Sequence, residues 1–353
     1  MKTVVIGGGI VGASVAYHLA AYGTDVTVFT GGSRGGIASM ASFAWINAAP
    51  GNTRHYFEFR LKAILDWHRL QHDLGGQPDI NWNGSLWWEN ETGAMKDAIM
   101  LQASWGYPIR LISSAEVAKQ EPLLCRYPEQ CSLSTLEGSL SPLETAVMLL
   151  DEAAERGAMI RDDTVHSIII RNGRVAGTRT ASGDTAAHHV VLAAGIASEQ
   201  LAGDAGITLP MANLPGFLAY SKPHPPLLRG VVLSPRVHMR QSTDGRIVVG
   251  QDFGGSPPSN DPEVTAETLM AAVRELLVDS DGLRVAHFTQ GMRPIPSDGL
   301  PIIGPTSELP GLYVTVMHSG VTLAALAGRL AAEEIVSGCS IDVLAPYRPE
   351  RFH

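Results

Sequence analysis

A buried strand, a glycine turn and a helix follow one another at the N-terminus, and no other stretch restricts the fold of this chain as much. Thr3 to Ile6 is an apolar, β-branched run that reads as a strand covered on both faces. Gly7-Gly8-Gly9-Ile10-Val11-Gly12 then spells G-x-G-x-x-G, and Ala13 to Tyr22 carries Val15, Ala16, Leu19 and Ala20 at helical spacing. Each glycine has a task. Gly7 permits the tight turn, Gly9 lets the backbone approach a pyrophosphate, and Gly12 lets helix and strand pack closely. The helix start offers free N–H groups and the positive end of its dipole to phosphates. Glycines alone describe many β–α connections; with both flanks in place they predict a dinucleotide site on a parallel sheet.

The next strand is Asp25 to Phe29. A ribose-binding carboxylate is expected at its end, about 20 residues beyond the glycines, but Thr30 stands there. A hydroxyl cannot hold two ribose hydroxyls as a carboxylate does, so replacing Thr30 by Glu is expected to tighten the nucleotide. Ser33 and Arg34 lie just beyond and suit a 2′-phosphate, which leaves an NADP-type cofactor open.

At 353 residues the chain is long enough for two domains. Hydrophobic residues make up 45% and charged residues 17%, so much of it is expected to be buried. A formal net charge of −9 argues against nucleic acid and anionic membrane as partners. Cys125, Cys131 and Cys339 form neither a C-x-x-C pair nor a metal pattern and read as reduced thiols of a cytoplasmic protein. Three consecutive glycines break the N-terminal apolar run, so it does not read as a signal peptide. Without an apolar run of about 18 residues, no transmembrane helix is expected.

Residues 46–135 change character, with Trp67, Trp82, Trp87, Trp88 and Trp105 and a helix predicted from Tyr56 to Leu74. A helix from Pro142 to Gly157 capped by Ser141, a strand pair from Val165 to Thr180 turned at Asn172-Gly173, and a strand from His189 to Ala193 return to α/β pattern. Residues 213–290 carry strands at 218–222, 236–240 and 246–250, with a turn at Asp244-Gly245 and a helix from Pro262 to Leu277.

The C-terminal block reads GMRPIPSDGLPIIGP at Gly291–Pro305 and LYVTVMHSGVTLAALAGRLAAEEIVSG at Leu312–Gly338. With the glycine turn, the loop Gly31–Ala48 and VVLAAGIAS at Val190–Ser198, it resembles the D-amino-acid oxidase superfamily, which includes glycine oxidase, sarcosine oxidase and D-amino-acid dehydrogenases. The likeness covers both ends and the middle of the nucleotide domain, and the substrate domain only in outline. It implies FAD rather than NADP. It also implies an α/β chain in which a Rossmann-like FAD-binding domain (1–45, 137–200 and 288–353) is interleaved with an α+β, antiparallel-sheet substrate domain (46–136 and 201–287).

The same resemblance assigns residues to the cofactor. Gly7, Gly9, Ile10, Val11 and Gly12 form the turn, and Thr30 with Gly31 stands at the ribose. Ala38, Ser39, Ser42 and Phe43 meet pyrophosphate and flavin, Val165 begins the strand that brackets the adenine, and Ala194-Gly195 closes the pocket. Gly291 lies on the strand crossing the flavin, and Ser319, Gly320, Val321, Thr322 and Leu323 start a helix whose N–H groups face the flavin C2 carbonyl. The positions at which some relatives attach flavin covalently fall near Met292 and Phe43, so non-covalent FAD is expected.

Catalytic candidates follow. Arg293 matches the arginine that forks onto a substrate carboxylate, two parallel donors meeting two oxygens; a structural pairing with Asp298 is the alternative. His238 falls where several relatives place a carboxylate-binding Tyr, His318 sits at the flavin edge, and Arg54 resembles part of an Asp-Thr-Arg element beside the flavin. No general base is required if a neutral amine donates hydride to flavin N5 after orientation and desolvation. The expected activity is oxidation of the C–N bond of a small amino acid or N-alkyl amino acid, with hydrolysis of the imine. A flavin-carrying component of a hetero-oligomeric dehydrogenase, with little activity alone, is the rival reading. The electron acceptor (oxygen, a quinone or an electron-transfer protein) and the oligomeric state stay open. An apolar strand at Arg246–Gly250, where some oxidases carry a lysine, tilts towards dehydrogenase.

Overall fold

The computed structural model describes residues 1–48, 51–251 and 261–352. A six-stranded sheet has the N-terminal strand β1 (Lys2–Ile6) at its interior, flanked by β2 (Asp25–Phe29) and β4 (His189–Leu192) in parallel register. Beyond β2 lies β3 (Met159–Arg161); beyond β4 lie β10 (Leu312–Val316) and the antiparallel edge strand β9 (Ile302–Pro305). β1 and β2 are buried after their first residue, as strands covered on both faces must be.

Helices cover the sheet. α1 (Ile10–Ala21) is buried almost all round because α4 (Pro142–Glu155) and α6 (Gly320–Ser337) both pack against it. Small residues set the distance: a Cβ at Gly328 would fall 2.2 Å from Ser14 Oγ and 2.7 Å from the Ser14 carbonyl carbon, so the two helices cross where neither carries bulk.

An eight-stranded sheet forms the second layer system. Its edge strand β8 (Val285–Pro296) pairs antiparallel with β5 (Met211–Ser221), followed by β7 (Ile247–Gly250), β6 (His238–Gln241) and the short strands Val231–Leu233, Ser85–Trp87, Gln130–Ser134 and Ile109–Ser113. Alternation divides this sheet. Phe217, Ala219, Met239, Val249 and Phe288 pack in one apolar cluster with α5 (Pro262–Leu276). Registers Tyr220↔His287, Gly216↔Gly291 and Arg240↔Val248 put Arg240, His238, Tyr220, Gly216, Gly291 and Arg293 on the other face. β8 stays paired with β5 through residue 296, so the strand spans the expected boundary at 288, and the nucleotide sheet resumes only at Ile302.

Local predictions translate closely. The Val165–Arg171 and Arg174–Thr180 strands form an antiparallel hairpin whose Asn172 and Gly173 both have positive φ, 53° and 70°. The helix expected from Tyr56 is α3, Arg54–Asp73.

One buried acid outside the site makes stability depend on pH. Glu121 is 3% exposed and accepts the backbone N–H groups of Arg229 at 3.1 Å and Gly230 at 2.7 Å. Burial pushes its carboxyl from 4.5 up to about 7. A folded pKa above the unfolded one gives stability that is complete below pH 4.5 and lost as pH rises through about 7. Glu121→Gln should therefore gain on the wild type between pH 4.5 and 8, by about 3 kcal/mol in urea unfolding. A stability difference that is the same at both pH values would refute the assignment.

Candidate active site

The nucleotide cradle gathers at the carboxyl edge of the six-stranded sheet. Gly7 has φ 115°, and a Cβ there would meet the Ala193 carbonyl oxygen at 2.3 Å; one at Gly12 would meet the Gly7 oxygen at 2.1 Å. Only glycine fits either place. α1 begins at Gly9 without a side-chain cap, and its Ile10 N–H donates to Ser39 Oγ at 3.1 Å. Gly35 N–H donates to the Gly8 oxygen at 3.0 Å, which draws α2 (Ile37–Met40) and Ala38 alongside the turn. Ala194 and Gly195 follow β4 at this edge, and Thr30 and Gly31 follow β2. Val165 starts the neighbouring hairpin, two residues beyond the Asp163 oxygen that accepts Gly31 N–H.

A second helix N-terminus converges on the first. α6 starts after Ser319, which holds φ 44°, and a Cβ at Gly320 would lie 3.2 Å from Val11 Cγ2. Val321, Thr322 and Leu323 are buried; Leu323 N–H is spent on the Ser319 carbonyl, and Thr322 Oγ1 donates to the Trp45 carbonyl at 3.3 Å. Two helix starts side by side bring the positive ends of their dipoles to one spot.

The loop after α2 is strapped to the second sheet. Tyr220 OH donates to the Met40 carbonyl at 3.2 Å, and a Cβ at Gly291 would fall 2.7 Å from Ala41 Cβ. Ser42 Oγ accepts Ala44 N–H at 3.1 Å, fixing Ala44 at φ 59°. Arg240 Nε donates to the Phe43 carbonyl at 2.5 Å with its guanidinium over the Phe43 ring, while the His238 ring lies 6.5 Å from that ring. Burial pulls the Arg240 guanidinium down to about 10. Arg240 also lines a cleft of about 430 Å³ with Asn81, Ser139, Gln241 and Asp244.

Arg293 folds back along this face. A Cβ at Gly216 would stand 2.8 Å from Arg293 Nε, so Gly216 leaves the groove in which the guanidinium lies. Asp298 is engaged elsewhere, by Arg351 at 2.7 and 3.1 Å. Burial first, then the charges of Arg293 and Arg60, hold the His318 imidazole down at about 4, so it is neutral at physiological pH. Arg60 is buried on α3: Nε donates to the Asn47 carbonyl at 3.0 Å, the terminal nitrogens to Asn47 Oδ1 at 2.5 Å and Ser319 Oγ at 2.7 Å.

Arg293, His318 and Ser319 thus come together, and His238 faces Phe43 further along the same sheet face. Arg54 does not join them: it is exposed on the first turn of α3 and pairs with Glu58 at 3.0 Å. Arg34 pairs with Asp151 on α4, not with the ribose side of the cradle. Arg60, Asn47 and Arg240 were missed from the sequence. Arg60 carried a signal, because it interrupts the apolar stripe Phe57, Ala63, Ile64, Trp67 at a position that must face inward. Arg240 shares the alternation of His238 and was equally visible.

A dinucleotide cradle facing a sheet with an inward arginine is the arrangement of a cofactor-dependent oxidoreductase. The sequence profile of the FAD dependent oxidoreductase family matches residues 2–334, and the chain belongs to this family. It is 26% identical to glycine oxidase of Pseudomonas putida over 367 residues, covering 99% of this chain and 98% of that protein. It is 27% identical to one of the subunits of opine oxidase from Agrobacterium tumefaciens over 370 residues, covering 99% and 97%. Among solved structures, L-proline dehydrogenase from P. horikoshii shares the fold with a TM-score of 0.86 at 23% identity, covering 99% of this chain and 97% of that one. The cofactor is FAD, and the cradle fits it: the glycine turn at the start of α1 leaves room for pyrophosphate, and the start of α6 lies beside it. No helix among the described residues is long and apolar enough to cross a membrane.

Proposed function

We propose that the chain oxidises the C–N bond of a small amino acid or N-alkyl amino acid, with FAD held non-covalently. The observation that carries this reading is Arg293, laid in the groove above Gly216 next to a neutral His318. A guanidinium there presents two donors to a carboxylate and fixes the α-carbon relative to the flavin face. His318, kept neutral, adds no charge that would repel a protonated amine before it gives up its proton. His238 offers a further donor to the carboxylate. Bound FAD supplies the hydride acceptor. In this reading residues 1–45, 137–200 and 288–353 serve the cofactor, except that Arg293 on β8 reaches the substrate, and 46–136 and 201–287 shape the substrate side. A cytoplasmic location accords with three cysteines that form no C-x-x-C pair.

The likeness to an opine oxidase component favours a second reading, in which this chain is the flavin-carrying part of a larger dehydrogenase. One experiment separates the two. The purified single chain is offered a panel of amino acids and N-alkyl amino acids with a dye acceptor, in air and without it. Turnover by the single chain is expected, equal in both atmospheres if the acceptor is not oxygen. Flavin-loaded chain that turns over no member of the panel would sink the first reading.

A further inference from the structure

The end of β2 holds a hydroxyl where a ribose-binding acid is expected, yet a carboxylate stands beside it. Thr30 is 7% exposed. Its methyl packs on the glycine turn: a Cβ at Gly8 would fall 2.9 Å from Thr30 Cγ2. Its hydroxyl donates to Asp162 Oδ1 at 2.8 Å. Asp162 is the residue after β3, which runs parallel to β2 with Phe29 opposite Arg161. Adjacent strands are about 4.8 Å apart, so Asp162 occupies the same carboxyl edge, one strand further out. Two backbone bonds hold it there: Thr30 N–H to the Arg161 oxygen and Gly31 N–H to the Asp163 oxygen, each 3.0 Å.

The neighbouring charges do not compete for this role. Asp163 is turned to Thr164 N–H at 2.8 Å and to the hydroxyls of Thr180 and Ser182. Arg34 pairs with Asp151. Asp162 is exposed, and a carboxylate accepts about four hydrogen bonds, of which Thr30 takes one.

We propose that Asp162 is the carboxylate that binds the adenosine ribose hydroxyls of FAD, delivered from the strand next to the usual one and oriented by Thr30. The acid has moved across the sheet, and Thr30 is the positioning residue that replaces it. On this reading Thr30→Glu sets a second carboxylate against Asp162 and weakens FAD binding, the reverse of what the sequence suggests.

The test titrates the full-length chain, stripped of flavin, with FAD by fluorescence quenching, and uses ADP and 2′,3′-dideoxy-ADP as competitors. Wild type is expected to bind ADP about tenfold or more tighter than the dideoxy analogue. Asp162→Asn should weaken FAD and ADP by about that factor and leave dideoxy-ADP unchanged, so that discrimination collapses. Thr30→Val should move in the same direction by less, and Asp163→Asn should change nothing. Circular dichroism checks that each variant is folded; if Asp162→Asn is not, Thr30→Val and the wild-type competition carry the test. The proposal is overturned if wild type does not discriminate, if Asp162→Asn or Thr30→Val retains full discrimination, or if Thr30→Glu tightens FAD.

Discussion

Arg293→Lys is expected to lower kcat/KM for the amino-acid substrate at least about tenfold, roughly 1.4 kcal/mol, with FAD content at the wild-type level. Lysine keeps the charge but loses the two parallel donors. It also cannot lie flat in the groove above Gly216, where the arginine Nε sits within 2.8 Å of a would-be Cβ. A substrate analogue lacking the carboxylate should react slowly with the wild type and be nearly indifferent to the mutation. Steady-state kinetics on both compounds decide the matter. If the variant handles the amino acid as well as the wild type does, Arg293 is structural and the amino-acid reading loses its main support.

Arg60→Met should cost about 3 kcal/mol in urea unfolding of the flavin-free chain. Two buried acceptors on Asn47 (its carbonyl and Oδ1) and the half-buried Ser319 Oγ lose this donor together. Ser319 then loses the bond that helps hold it in its left-handed conformation at the start of α6. The same variant should let His318 rise from about 4 towards its ordinary 6.5, because one of the two positive charges facing it is gone; burial and Arg293 still hold it below that. Imidazole resonances followed against pH report this independently of stability. An unmoved His318 together with wild-type stability would show that Arg60 does neither job.

Local patterns carried far. The strand, glycine turn and helix at the N-terminus, the Asn172-Gly173 hairpin and the buried strands all follow from residues within a dozen positions of one another, and each stands in the structure close to where periodicity puts it. The parts that were not legible depend on contacts between distant segments. Thr30 reads as a missing acid because Asp162 is brought to it by strand pairing across 132 positions. Arg54 and Arg60 lie on the same helix, and only packing decides which faces inward; the motif resemblance favoured Arg54, whereas the apolar stripe favours Arg60. The alternative pairing of Arg293 with Asp298 rests only on proximity in sequence, and Arg351 from the end of the chain takes that acid.

The strap from Ser39 to Phe43 has a thermodynamic consequence. It is bonded at one end to the start of α1 and at the other to Tyr220 and Arg240 on the opposite sheet. Any ordering of this segment by the dinucleotide is therefore also an ordering of the wall against which the substrate docks. Coupling of this kind is reciprocal: whatever factor FAD lends to the affinity for a carboxylate ligand, that ligand returns to FAD. A tightly bound substrate analogue would then raise the affinity for FAD by the same factor.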